Sequence, residues 1–229
     1  MIRLTFPPSS YIISFAMGVK IVEIKPDPRH RSRWMITLED GSRFNLDENL
    51  MVKHGLRVGV EIDANAVREV AREDELHRAK NYAFDLLVCR DYTARQMTRK
   101  LASKGFSIEA INTTIDALKR MGYIRDERYA RNWVSSRLRN NPRGRSLLKA
   151  ELLRRGIDKS TVDRVLDEID ESTEYQAALK AARAQVRKHY SKLNKVVARR
   201  KLYGFLTRRG FELELVKKVI DEVLEEKEE

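Results

Sequence analysis

Three glycine-centred segments of one pattern recur along the chain, and they constrain its fold more than any other feature. They are LASKGFSIEAINTTIDAL (101–118), LLRRGIDKSTVDRVLDEI (152–169) and LTRRGFELELVKKVIDEV (206–223). In each, a leucine stands four residues before the glycine, a basic residue directly precedes it, and apolar residues follow at one, six, ten and thirteen positions. Glycine closes helices in a left-handed conformation, and this apolar spacing is that of a helix with one buried face. Each segment therefore predicts a helix, a glycine turn and a second helix.

Each helix pair follows another amphipathic stretch, so the repeating unit has three helices. These stretches begin at Tyr82, Tyr129 and Tyr175. The sequence predicts a mainly α protein of tandem three-helix repeats in an elongated array, because repeats of this kind contact mainly their neighbours. The predicted modules are residues 66–124, 125–170 and 171–229, the last with an acidic C-terminal end.

Local signals place several helix ends. Thr93 and Gln96 form a capping box that opens a helix ending at Gly105, and Ser107 starts the next one. Asp126 is typical of an N-cap for the first helix of the second module. Cys89, the single cysteine, excludes an internal disulfide and is expected to be a small core or boundary residue.

The first 65 residues predict an N-terminal leader and a small antiparallel β unit. Val19–Lys25 and Trp34–Leu38 alternate apolar and polar residues, Asp40-Gly41 supplies a hairpin turn, and Arg43–Leu46 returns. Val58–Ile62 is a last short strand. For the leader, we expect Met17 to be the natural start, with Met1 as the alternative.

No catalytic, cofactor or metal site is predicted. The four histidines are scattered, and the chain lacks phosphate-binding glycine loops and a nucleophile elbow. No apolar run approaches the roughly 20 residues that a membrane helix needs. We therefore expect a protein that acts by binding and is not an enzyme.

Charge is distributed in a way that favours a polyanionic partner. The net charge is +12, and from Tyr175 to Phe211 there are 11 Lys or Arg and no acid, whereas 8 acids and 3 lysines follow from Glu212 onward. Surfaces that serve only solubility mix both signs. A stretch of 37 residues without an acid therefore predicts contact with nucleic acid. The acidic end is either a solvated tail or a competitor for the basic surface of the third module.

Two basic groups are the candidate contact residues. The first group surrounds a loop before a helix N-terminus, and the second runs through the loop and second helix of the third module. Arg95, Arg99, Lys100 and Lys104 instead fit an ordinary exposed helix face. The candidate partner-binding or DNA-binding residues are Arg137, Arg139, Arg143, Arg145, Lys188, Lys192, Lys195, Arg199, Arg200 and Lys201.

Aromatic side chains give little sign of base recognition. Tyr82, Phe84, Trp133 and Tyr203 sit in helical apolar patterns, where core packing is their expected role. Sequence-specific reading of DNA is therefore not expected.

The stretch from Met121 to Ile157 resembles the middle module of the RecX family, and the resemblance extends over about residues 72–225. The β unit before residue 65 is not a universal part of the family, so the resemblance implies no role for it. The matching positions of the middle module are Gly122, Tyr123, Ile124, Asp126, Glu127, Tyr129, Ala130, Trp133, Arg137, Gly144, Leu148, Glu151, Leu152, Arg155, Gly156 and Ile157.

The resemblance implies a cytoplasmic regulator that binds the filament of RecA on single-stranded DNA. Family members suppress its ATP hydrolysis, strand exchange and co-protease activity, and many also bind DNA directly. Expected partners are thus the RecA filament and single-stranded DNA, and double-stranded DNA is a further candidate partner. The protein is expected to be a monomer that does not bind membranes. The alternative from charge alone is a DNA-binding architectural protein without sequence specificity.

Overall fold

The computed structural model describes residues 18–28 and 32–226, so the leader with its alternative starts, Met1 and Met17, lies outside the described residues. The chain packs into two units. One comprises the described residues up to Asp85 together with Gly105–Thr114, and the other comprises Leu86–Lys104 together with the described residues from Ile115 onward.

The β unit is a four-stranded antiparallel sheet in the order β3-β2-β1-β4. Its strands are β1 Val19–Pro26, β2 Arg33–Leu38, β3 Arg43–Asp47 and β4 Glu61–Ile62. The predicted small antiparallel unit is confirmed, including the tight turn at Gly41, whose φ is 84°. Its core contains Ile21, Ile36 and Leu46, each at most 1% exposed.

Two details of the β unit differ from the sequence prediction. Helix α1, Glu48–Lys53, follows β3 directly, because the Asp47 side chain accepts the Asn49 N–H and caps it. The predicted strand Val58–Ile62 shrinks to two residues, since Gly59 takes a φ of 91° and the Val60 N–H bonds to Arg57 O in a turn.

The rest of the described chain is almost entirely helical. None of its helices in residues 32–226 has both the length and the apolar character that crossing a bilayer requires. The helices are α2 Ala64–Cys89, α3 Ala94–Ser103, α4 Ile108–Arg120, α5 Asp126–Asn140, α6 Arg145–Arg154, α7 Lys159–Asp167, α8 Glu171–Gln185, α9 Lys195–Arg208 and α10 Leu213–Glu225, with a π-helical turn at Val186–Tyr190 after α8.

The three predicted glycine turns are confirmed. Gly105, Gly156 and Gly210 have φ values of 84°, 86° and 81°. After Gly156 and Gly210, the next N–H bonds back to Leu152 O and Leu206 O, which is the wrapped helix end that a left-handed residue permits. The leucines four residues before each glycine are completely buried, and the apolar residues six, ten and thirteen positions after it are at most 6% exposed: Leu101, Leu152, Leu206, Ile111, Val162, Val216, Ile115, Leu166, Ile220, Leu118, Ile169 and Val223. Directly after the glycines, Ile157 and Phe211 are buried, whereas Phe106 is half-buried.

Helix ends and boundary residues were predicted with mixed success. The capping box of Thr93 and Gln96 is present. Asp126 does not cap its own helix: the N-cap of α5 is Arg125, and Asp126 Oδ1 accepts the Ala94 N–H at 2.9 Å. Cys89 is exposed rather than buried, because it is the last residue of α2. Tyr203, expected to pack in the core, is 41% exposed.

Candidate nucleic-acid interface

The loop before α6 packs against the glycine turn that ends α9, and this contact places the first basic group. Gly144 N donates to Arg209 O at 2.9 Å, and Ser146 N donates to Gly210 O at 3.3 Å. A Cβ on Gly144 would overlap the backbone of Gly210, so only glycine allows this approach. Basic side chains of the second and third modules thereby meet at one junction.

Glu151 is the buried carboxylate of this junction, with 5% of the residue exposed. Its Oε2 accepts the Trp133 Nε1–H at 2.8 Å, and Oε1 pairs with Arg143 Nη1. Arg137 Nε lies 3.4 Å from Oε2, but the geometry does not allow a hydrogen bond, and this buried donor has no hydrogen-bond partner. The carboxylate of Glu151 thus lies beside two guanidiniums and can balance the charge of one.

Trp133 holds two of these guanidiniums over its ring. The Cζ atoms of Arg155 and Arg137 lie 3.5 Å and 4.0 Å from the ring centroid, within the range of cation–π attraction. Arg155 also donates to Glu151 O at 3.2 Å and to Tyr129 Oη at 3.3 Å. Trp133 thus supports two guanidiniums on its ring, and it also packs, partly buried, against the core of the second module.

Arg209 reaches the same place from the third module. Its Nη1 donates to Asn141 Oδ1 and to Pro142 O, both at 2.8 Å. These residues directly precede Arg143 in the loop. We refer to the four guanidiniums at this junction as the arginine cluster: Arg137, Arg143, Arg155 and Arg209.

The arginine cluster carries more positive charge than its surroundings compensate. Burial lowers the pKa of the Arg143 guanidinium, and the positive charges of the other three arginines lower it further. Burial also lowers the pKa of Arg209. Among the described residues, Glu151 is the one carboxylate in an ion pair with the cluster. Three of its four positive charges are therefore uncompensated.

The other two arginines of the first group have different surroundings. Arg145 Nε donates to Glu174 Oε2 at 2.7 Å, and its backbone N–H bonds to Oε1 of the same carboxylate at 3.1 Å. Arg145 Nη2 also donates to Ile169 O. Arg145 therefore links the second module to the third, whereas Arg139 is exposed.

The second basic group is exposed on the third module, and α10 neutralises part of it. Arg199 pairs with Asp221 at 2.6 Å, and Lys201 lies 5.8 Å from the Tyr190 ring centroid. Lys195 is exposed. Within the described chain, no ion pair engages the exposed side chains of Lys188, Lys192 or Arg200. Within the second basic group, these three are the cations most available to a polyanion.

The acidic side chains near the C-terminal end form ion pairs with basic residues of α8 and α9. Arg183 donates to Glu222 Oε1 and Glu226 Oε2, each at 3.0 Å. Together with the Arg199–Asp221 pair, these contacts lay the acidic helix along basic residues of α8 and α9. Residues beyond 226 lie outside the described part of the chain.

Sequence reasoning missed three residues of the arginine cluster site: Glu151, Arg155 and Arg209. In the sequence, Arg155 and Arg209 stand before repeat glycines, where a basic residue suits the last carbonyl groups of a helix. Glu151 and Arg155 also match the RecX pattern, which says nothing of an arginine cluster. The repeat itself held the signal, because Arg155 and Arg209 each stand directly before a glycine that lies at a junction between modules. Arg95 is exposed as expected, but its aliphatic stem also packs over Gly156.

Metal chemistry has no support in the described ranges, 18–28 and 32–226. Within them, no three His, Cys, Asp or Glu side chains are grouped so that they could hold a metal ion.

Comparison with known proteins identifies the repeats. Family models described as the first, second and third three-helix domains of RecX match residues 79–118, 126–166 and 173–220. The regulatory protein RecX of Clostridium perfringens (strain 13 / Type A) is 29% identical over 206 residues, covering 88% of this chain and 94% of the relative. The regulatory protein RecX of Amycolatopsis mediterranei (strain U-32) is 36% identical over 161 residues, covering 69% of this chain and 90% of the relative.

Solved structures agree in fold. A crystal structure of regulatory protein RecX has a TM-score of 0.67 at 22% identity, covering 89% of this chain and 99% of that one. RecX from Lactobacillus salivarius has a TM-score of 0.60 at 21% identity, covering 66% of this chain and 97% of that one. Because three domain models match in order and a relative is 36% identical across 90% of its own length, the chain belongs to the RecX family of regulatory proteins.

Proposed function

We propose that this protein binds the RecA–single-stranded DNA filament in the cytoplasm and inhibits its ATP hydrolysis, strand exchange and co-protease activity. It would thereby restrain homologous recombination and the SOS response. It acts by binding rather than by catalysis, and as a monomer. The observation that most supports this proposal is the ordered match of all three RecX modules.

The charge of the third module supports a contact with the DNA inside such a filament. Lys188, Lys192 and Arg200 are exposed and lack ion pairs within the described chain. Unpaired surface cations gain from releasing counterions condensed on DNA, whereas an ion-paired cation must first lose its partner. We therefore propose that these three contribute more to binding than Arg199 does.

The direct test measures steady-state ATP hydrolysis by RecA on single-stranded DNA while the protein is titrated from substoichiometric ratios upward. Inhibition below one protein per RecA subunit is the expected result. Unchanged hydrolysis across a wide titration, under conditions where RecA filaments are saturated with ATP, would contradict the proposal.

Matched variants separate a specific surface from net charge. The triple variant Lys188→Ala, Lys192→Ala and Arg200→Ala should need more protein for half-inhibition, by about tenfold if each lost phosphate contact weakens binding about twofold. The control, Arg99→Ala, Lys100→Ala and Arg120→Ala, removes three exposed charges from the first module. Equal loss in both variants would mean that only the overall charge matters.

A second candidate function is a DNA-binding architectural protein, favoured by the acid-free stretch from Tyr175 to Phe211. It predicts tight, salt-sensitive binding to DNA without RecA, and an effect on RecA only when the DNA is covered. Inhibition at ratios too low to cover the DNA would exclude it.

A further inference from the structure

The arginine cluster has the properties of a binding site rather than of a closed ion-pair network. A closed network would match its charges, because an uncompensated buried charge is costly. Here only two of the four guanidiniums, those of Arg137 and Arg143, pair with the single carboxylate of Glu151. Burial, together with the positive charges of the other three arginines, lowers the pKa of Arg143. The junction therefore holds positive charge that the protein itself does not neutralise.

Hydrogen-bond donors are also left over at this place. Arg137 Nε is buried without a hydrogen-bond partner. Arg143 makes its ion pair through Nη1, and within the described chain its other two nitrogens donate to no side chain or backbone oxygen. Guanidiniums with free N–H groups bind oxyanions strongly, because two parallel hydrogen bonds match the spacing of two oxygens.

The cluster is held in place and is reachable from solvent. Side-chain exposure is 27% for Arg137 and 25% for Arg143. Trp133 supports Arg137 and Arg155 from its ring, and Asn141 with Pro142 fixes Arg209. Arginines fixed in this way lose little conformational entropy when they bind, which favours a permanent site over a transient surface contact.

We propose that the arginine cluster binds one backbone phosphate of nucleic acid, with Glu151 as the internal carboxylate that holds the guanidiniums when the site is empty. A phosphodiester fits better than an acidic side chain, because a nucleic-acid strand carries negative charges at regular intervals along its length. The third module adds exposed cations at Lys188, Lys192 and Arg200, and a strand with a charge at every nucleotide can engage both surfaces. The inference uses the proposed function only to choose this ligand.

The test uses the tryptophan that the cluster itself surrounds. In the full chain carrying Trp34→Phe, Trp133 is the one tryptophan left, because the sequence has two. Its fluorescence is recorded during titration with inorganic phosphate and, separately, with short oligothymidylate. Both ligands should change the emission of Trp133. A bound anion attracts the Arg137 guanidinium and so changes the position of this cation over the indole ring.

Two variants are expected to act in opposite directions. Arg143→Gln should weaken oligothymidylate binding about tenfold and lower the salt dependence by about one phosphate contact. Glu151→Gln should strengthen binding severalfold, because it removes the competing carboxylate while an amide oxygen can still accept the Trp133 N–H. Arg154→Gln, an exposed arginine on the same helix α6, is the control and should change nothing.

The outcomes separate the possibilities. No fluorescence response to either anion in the folded parent protein would overturn the proposal and leave the cluster as a structural junction. A response to an oligoglutamate peptide that exceeds the response to oligothymidylate would overturn it in favour of an acidic protein partner. Weaker binding in Glu151→Gln, with helical circular dichroism unchanged, would also contradict it. Inhibition of RecA is measured separately, so either result there leaves the phosphate measurement interpretable.

Discussion

The backbone N–H of Gly144 donates a hydrogen bond to the carbonyl oxygen of Arg209, 2.9 Å away, and joins the second module to the third. The first junction has the same plan. Thr93 Oγ1 donates to Arg155 O at 2.7 Å, so there too the start of one module's second helix meets the glycine end of the next module's second helix. A carboxylate from the next module completes each junction: Asp126 accepts the Ala94 N–H, and Glu174 accepts the Arg145 N–H. The repeat in sequence is therefore also a repeat of interfaces.

This plan predicts that alanine costs less stability at Gly105 than at Gly210. All three have φ above 80°, so each alanine should cost about 1–2 kcal/mol of unfolding free energy from backbone strain. Gly105→Ala should cost only that, because nothing lies within 4 Å of the added Cβ. In Gly210→Ala the Cβ overlaps Leu147, including its backbone, which adds about 1–3 kcal/mol. Urea unfolding followed by circular dichroism should show this order, and equal losses would refute the junction argument.

Gly144→Ala tests the close contact with Gly210 without adding backbone strain at residue 144. The φ of Gly144 is −75°, which alanine adopts freely, yet its Cβ would overlap the Gly210 carbonyl. We expect a loss of about 1–3 kcal/mol and faster hydrogen exchange of the Ser146 amide. Gly204→Ala, within α9, is the control of opposite sign, because its Cβ approaches only the Arg208 side chain and should stabilise the helix by about 0.5–1 kcal/mol.

Asp158 predicts a pH dependence of stability. It caps α7 by accepting the Thr161 N–H at 2.8 Å and the Ser160 hydroxyl at 2.6 Å, and these bonds lower the pKa of its carboxyl from the usual 3.8. The folded pKa lies below the unfolded one, so the stabilisation is complete above about pH 4 and is lost as pH falls through the folded pKa. The difference in Tm between the parent and Asp158→Ala should therefore shrink in acid. A Tm difference that stays constant as the pH falls would contradict this role of Asp158.

Asp74, on α2, predicts a large loss of stability, because it pairs with Arg33 of β2 as well as with Arg78 of its own helix. Its carboxylate is 5% exposed and pairs with Arg33 and Arg78, each at 2.9 Å. Asp74→Ala leaves two partly buried guanidiniums without their partner, which should cost about 3–5 kcal/mol. Unfolding followed by Trp34 fluorescence in a Trp133→Phe background measures it. Glu69→Gln, exposed on the same helix α2, should stay within about 0.5 kcal/mol of the parent, and a similar cost at both sites would count against the pairing.

Arg199 and Arg200 are adjacent in sequence but should differ in DNA binding. Arg199 pairs with Asp221 at 2.6 Å, whereas within the described residues Arg200 has no ion pair. Arg200→Ala should reduce the slope of log affinity against log salt by about one unit, and Arg199→Ala by clearly less. Fluorescence anisotropy of labelled single-stranded DNA at several salt concentrations gives both slopes, and identical slopes would show that the Asp221 pair does not matter.

Much of the local structure could be predicted from the sequence alone. The repeat positions determine which side of each helix is buried, and the glycines determine where the second helices end, because both depend on spacing and backbone conformation within one segment. Leu152 and Gly156 behave as their positions indicate. The hairpin at Gly41 and the capping box at Thr93 follow from equally local rules.

Only the tertiary structure decided which charges are available. Arg143 and Arg145 read alike in the sequence, yet one belongs to a cluster with surplus charge and the other is paired with Glu174 across a junction. Asp126 caps α3, a helix that begins 32 residues before it in the chain, and not its own helix. Electrostatic partners are set by distance in space, and the packing of one module on the next brings together residues whose separation along the chain carries no such information.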